Sequence, residues 1–149
     1  MRAAALIVCT LAVSACDNCP VYGEDMRGDW DREARAVCSQ VPGCDLSYVL
    51  SVPVYEAPAA SIPELCDRPQ EDVVGCFCHG PTCSGAIVIP DQDVRIRGCY
   101  ADTGNCIRTQ REIALHEYVH AAFHSVNVST SDHGPDFQNA RARALQALR

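Results

Sequence analysis

Cysteine sets the first constraint on this chain. Eleven occur in 149 residues, at positions 9, 16, 19, 38, 44, 66, 76, 78, 83, 99 and 106, a density that a reduced cytosolic protein without metal clusters does not carry. The pattern predicts an oxidising compartment and a scaffold stapled by disulfides, each of which stabilises a small domain by about 2–4 kcal/mol by restricting the unfolded chain. Cys38 with Cys44, and Cys99 with Cys106, are spaced for local bridges. The segment "CFCHGPTC" places Cys76, Cys78, His79 and Cys83 at spacings a second zinc site would tolerate. In an oxidising setting the same residues read as disulfide partners.

The start of the chain agrees with export. Arg2 precedes the apolar run "AAALIVCTLAV" and then "VSAC", the charged, hydrophobic and small-residue regions of a signal peptide rather than a membrane span. Residues 1–15 are expected to be the signal. "VSAC" resembles a bacterial lipobox, which implies that Cys16 becomes a lipid-bearing N-terminus and that the chain reaches the cell envelope through a lipid anchor in the membrane. Ordinary cleavage after Ala15, giving a soluble secreted or periplasmic protein, is the alternative. Loss of Cys9 with the signal leaves ten of the eleven cysteines, an even set, whereas lipidation of Cys16 leaves nine. Residues 16–27 read as a tether and 28–149 as a single domain, a length that supports one modest core. All twelve basic residues are Arg; without Arg2, eleven face nineteen acidic residues, a formal −8. That sign repels phosphate backbones and excludes nucleic acid as a partner.

Hydrophobic patterning predicts an α+β fold with an N-terminal helix, several short strands joined by turns and two C-terminal helices. "GDWDREARAVCSQ" (Gly28 to Gln40) has Trp30, Ala34, Val37 and Cys38 on one side of a helix. "LSYVLSVPVY" reads as a strand that Pro53 pushes toward an edge, and "EAPAASIPELCDRPQED" as a Pro-rich connection. "VVGCFC", "AIVIP" and "VRIRGCY" are further strands, with "PDQD" as a turn and "AIVIP" as the expected edge. Thr109 followed by Glu112 is a capping-box signature, after which Leu115, Val119, Ala122, Phe123 and Val126 recur at helical spacing. "NVSTSDHG" breaks the pattern. A last helix starts at Pro135, with Phe137, Ala140, Ala144, Leu145 and Leu148 on one stripe.

Four of the five histidines fall between His116 and His133. His116, Glu117 and His120 form H-E-x-x-H, in which imidazoles at i and i+4 lie about 6 Å apart along a helix and roughly 40° apart around it, so both reach one ion. Glu117 is rotated by about 100° from His116, unsuited as a third ligand and placed to take a proton from water on the metal. A catalytic zinc needs a third protein ligand and an open fourth position. His124 lies about 12 Å beyond His116 on a straight helix, too far to share the ion, and no glutamate follows Glu117. Asp132, His133 and Asp136 remain; His133, after a loop and before a helix, is the expected ligand. Glu112 is either a second-sphere acceptor for His116 or simply half of the capping box. Tyr118 and Tyr100 have the chemistry to polarise a carbonyl, but no spacing selects them.

The stretch "HEYVHAAFHSVNVSTSDHGPDF" resembles the zinc site of SprT-like (Spartan-type) metalloproteases, which carry H-E-x-x-H, a gap of about a dozen residues and then H-G-P-x-F or a close variant. The resemblance spans Thr109 to about Leu148. It implies a zincin-like fold of an N-terminal helix, a small antiparallel sheet, an active-site helix and a C-terminal helix, with His116, His120 and His133 as ligands of Zn2+ and Glu117 as catalytic base in hydrolysis of a protein or peptide substrate. The DNA-linked role of several such proteins does not transfer to an acidic, exported chain. Two other functions fit the composition: a non-enzymatic, disulfide-rich surface lipoprotein with a structural zinc, and a zinc hydrolase of cell-wall peptides.

Overall fold

The computed structural model describes residues 23–66, 73–80, 83–95, 107–130 and 132–149. The expectations for the signal, Cys16, Tyr100, the Cys99–Cys106 bridge and the side chains of His79 and Cys83 lie outside the described residues. Within them the fold is α+β: five α-helices, a three-stranded mixed sheet and a two-stranded ladder. No described helix is long and apolar enough to cross a membrane.

The N-terminal helix forms as its stripe predicts. A single 3-10 turn, Arg27–Trp30, buries Trp30 and leads into α1 (Asp31–Cys38), which buries Ala34, Val37 and Cys38 and exposes Arg32 and Arg35. Ahead of the turn, Met26 N–H donates to Val54 O at 2.8 Å and Asp25 accepts from Val54 N–H at 3.0 Å. The Cys38–Cys44 disulfide closes the turn after α1.

"LSYVLSVPVY" is not one strand. Its first half is α2 (Leu46–Ser51), because the Asp45 side chain caps it by accepting from Tyr48 N–H at 3.0 Å. Pro53 holds Val52 extended and ends the helix. Only the second half enters the sheet, as β1 (Val54–Ala57). The Pro-rich connection contains a 3-10 turn and α3 (Ile62–Leu65).

The expectation of an antiparallel sheet with "AIVIP" at its edge is corrected. β2 (Cys76–Gly80) pairs antiparallel with β3 (Cys83–Pro90), but β1 pairs parallel with β3, in the order β1-β3-β2. β3, which contains "AIVIP", is therefore the central strand. Ile87 and Ile89 point into the main core under the helices, whereas Val88 points to the other face, into a smaller cluster of Ala57, Ile62 and Cys66. A strand buried on both faces is apolar throughout rather than alternating. The Cys66–Cys76 disulfide staples α3's end to β2 and takes Cys76 out of any metal cluster, while Cys78 is a free thiol. Of "VRIRGCY", the described part is β4 (Val94–Arg95), paired antiparallel with β5 (Ile107–Arg108).

Two long helices complete the core. α4 (Gln110–Ser125) lies between the sheet and α1, and α5 (Pro135–Ala147) packs against α1 and α4. The start of α4 is tied to the sheet: Asp93 accepts from Gln110 N–H at 2.7 Å, and Gln110 Nε2 donates to Pro90 O at 2.8 Å. Leu115, Val119, Ala122 and Phe123 from α4, with Phe137, Ala140, Ala144 and Leu148 from α5 and beyond, are buried as the periodicity predicts; Val126 and Leu145 are partly buried.

Candidate metal centre

The capping box exists as read: Thr109 Oγ1 accepts from Glu112 N–H at 3.2 Å, and Glu112 Oε2 accepts from Thr109 N–H at 3.1 Å. It commits Glu112 to the helix start and fixes where on α4 the next residues point. His116 and His120 then project from one face, a turn apart. The helix ends at Ser125, and Asn127, at φ 59°, begins the reversal. His133 N–H donates to Thr130 O at 3.1 Å, and Gln138 Nε2 donates to His133 O at 3.2 Å. Between these ties His133 sits at φ 49°, a left-handed conformation that costs a non-glycine residue about 1–2 kcal/mol. The surrounding bonds impose it, and its consequence is that the ring turns back over α4.

Three imidazoles meet there. His116 Nε2 and His120 Nε2 are 3.3 Å apart, and His120 Nε2 and His133 Nε2 are 3.1 Å apart. One nitrogen from each of the three lies within 4.8 Å of the others, close enough to hold a single metal ion. Nitrogens bound at about 2.0–2.1 Å to a tetrahedral ion stand roughly 3.3 Å from one another, so two of the three edges fit. Phe137, almost fully buried, lies under the cluster with its ring centroid 4.9, 4.7 and 4.7 Å from those of His116, His120 and His133. Thr130 Oγ1 is 2.6 Å from His120 Nδ1; with Nδ1–H donating to it, Nε2 carries the lone pair that faces the other rings. Burial, then the neighbouring His120 and His133, then Arg141 and Arg108, push the His116 pKa down to about 3. His116 is therefore neutral at physiological pH, the form in which imidazole is a ligand.

Glu117 lies next to this cluster in sequence but faces the sheet. It is buried, its carboxylate accepts from the backbone N–H of Phe77 in β2, and burial raises its pKa to about 8. β2 approaches so closely that a Cβ on Gly75 would sit 2.7 Å from Ile113 Cγ2 and 3.2 Å from Glu117 Oε1. Glycine at 75 is what admits the strand against α4 at this level.

The remaining candidates sort cleanly. Asp132 accepts from Gly134 N–H at 3.3 Å, and neither it nor Asp136 joins the histidine cluster. His124 is exposed, with its ring against Tyr48 and Phe77 at 5.9 and 5.6 Å. Tyr118 is 1% exposed within the core, and burial raises its pKa. Two contributors escape sequence reasoning. Phe137 reads only as a core residue of a helical stripe, and Thr130 only as a loop residue; the polar run "STSDH" gives no indication of which hydroxyl reaches His120. Comparison with protein-family models, curated proteins and solved structures finds no match for this chain.

Proposed function

We propose that the protein is an exported zinc-dependent peptidase of SprT-like, zincin type, with His116, His120 and His133 as the ligands of Zn2+ and Glu117 as general base. One observation carries this reading: three imidazole nitrogens converge at ligand spacing, two from one turn of α4 and one from the returning chain. Three imidazoles suit zinc among the divalent ions. Among the described residues no fourth histidine, cysteine or carboxylate joins them, which favours an open catalytic site over a closed structural one.

A zinc ion bound there would supply Lewis acidity, polarising a substrate carbonyl and acidifying water. The chain's own residues account for the rest. Glu117 has its proton affinity raised into the neutral range by burial, as suits a group that takes a proton at neutral pH and returns it to a leaving amine. The Phe77 N–H orients its carboxylate. β2, an outer strand of the three-stranded sheet running beside α4, replaces "AIVIP" as the edge against which an extended peptide lies. Export rests on the leader and on Cys16 as lipid anchor; the two disulfides are compatible with an extracellular setting.

Glu117→Gln is isosteric and removes the base. The variant should bind zinc as wild type does and lose cleavage of an unfolded casein substrate by about 10²–10⁴-fold. Undiminished cleavage by a clean preparation of it would remove the mechanism, and absence of cleavage by zinc-loaded wild type would leave a non-enzymatic metal-binding protein.

A further inference from the structure

Arg141 and Arg108 both act electrostatically on His116 and take no part in the chemistry above. Arg141 follows Phe137 by one turn of α5, which puts it on the face whose ring lies under all three imidazoles. The residue is half-buried, and its Nε is covered and has no hydrogen-bond partner. Arg108 ends β5, immediately before the cap of α4, opposite Val94. Both guanidinium groups act on His116 and on each other. The ion pairs among the described residues are Arg27–Asp25 and Arg111–Glu33, so neither of these arginines enters one. Glu112, the acid that acts on Arg141, spends its carboxylate on Thr109 N–H.

This placement is unfavourable as it stands. Two cations repel each other, and both oppose a third cation held by His116, His120 and His133. A covered N–H without an acceptor adds a further cost. The positive spot also stands out on a chain whose formal charge is −7, which leaves it as a local attractor for anions on a surface that otherwise repels them. An anion lodged beside the histidines would relieve the repulsion between the two guanidinium groups. Carboxylate is the anion of a peptide ligand, and its two oxygens match the guanidinium fork.

We propose that Arg141, assisted by Arg108, is a carboxylate-recognition site at the edge of the histidine cluster, selecting peptides that carry an acidic side chain or a free C-terminus beside the segment held there. Its ligand class rests on the peptidase reading, but recognition itself requires neither metal nor turnover.

The test uses the metal-free full chain and three blocked tripeptides: acetyl-Ala-Glu-Ala-amide, acetyl-Ala-Gln-Ala-amide and acetyl-Ala-Gln-Ala with a free C-terminus. Binding is followed through the arginine Nε–Hε resonances of ¹⁵N-labelled protein. One carboxylate probe should bind about tenfold more tightly than the neutral amide, shifting a resonance that is missing from Arg141→Gln; which probe does so identifies the source of the carboxylate. Arg141→Gln should bind all three alike, and Arg141→Lys, which keeps the charge and loses the fork, should fall between. Equal binding of the three probes by wild type, or an undiminished preference in either variant, would overturn the proposal. Casein cleavage by zinc-loaded wild type is scored separately. Recognition without cleavage removes the peptidase reading and leaves this site; cleavage without recognition does the reverse.

Discussion

Thr130 shows how much of the site depends on a residue that touches no ion. Its Oγ1, 2.6 Å from His120 Nδ1, selects the tautomer that leaves Nε2 free and holds the ring toward His116 and His133. Thr130→Val is close to isosteric and removes that acceptor. Loss of such a partner weakens a histidine metal site by about 10–100-fold, so a chelator competition should show zinc affinity falling in that range while the far-ultraviolet spectrum stays unchanged. His133→Ala, which removes a ligand outright, should fall further. Equal affinity in Thr130→Val and wild type would mean that α4 and Phe137 alone orient the ring. His116 and His120 are legible in the sequence because a helix converts a spacing of four into a shared face. His133 is legible only as a candidate, since a thirteen-residue separation from His120 fixes no distance until the loop is folded. Thr130 is not legible at all, because its contact is set by a turn geometry that many polar sequences satisfy.

At the scale of elements, the register of α4 is what brings His116, Glu117 and His120 to their separate places. The capping box satisfies two backbone N–H groups that the helix cannot. Removing it by Thr109→Ala should cost about 1 kcal/mol of unfolding free energy, read as a lower urea midpoint with an unchanged slope, and Thr109→Ser should restore most of it. An unchanged midpoint in Thr109→Ala would show that the Asp93 and Gln110 bonds hold the helix start by themselves. α1, α4 and α5 are legible because each shows a helical period over eight residues or more, in α4 and α5 together with a start signal. The sheet is less so. "LSYVLSVPVY" has strand composition throughout, but a single Asp45 hydrogen bond and Pro53 divide it between α2 and β1. The central place of β3 depends on a parallel partner more than thirty residues earlier, Val54 against Ile87. Local patterning carries no information about such a pairing, although the unbroken apolar run "AIVIP" fits a strand covered on both faces.

For the molecule as a whole, the site acts on folding through half-buried His116 and buried Glu117, whose proton affinities move in opposite directions. His116 is pushed from 6.5 down to about 3, chiefly by burial and then by His120, His133, Arg141 and Arg108. Between those limits the unfolded chain binds a proton that the folded one does not, so stability rises with pH from about 3 to 6.5. Glu117 is pushed from 4.5 up to about 8 by burial, against the opposing bond from Phe77 N–H. Here the folded chain holds the proton that the unfolded one has lost, so stability falls with pH between about 4.5 and 8. The two windows overlap between 4.5 and 6.5, where the effects offset each other. The metal-free protein should therefore gain stability as pH rises to about 4.5, change little up to 6.5 and lose stability toward 8. Urea unfolding of chelator-treated protein at a series of pH values checks this, and Glu117→Gln separates the two groups: its upper limb should be flat while the lower one stays. An upper limb that persists in the variant would assign the loss to some group other than Glu117. Saturating zinc should steepen the lower limb, because protonation of the imidazoles must then also displace the ion that stabilises the folded state. A lower limb of the same slope with and without zinc would mean that the histidines do not hold the ion.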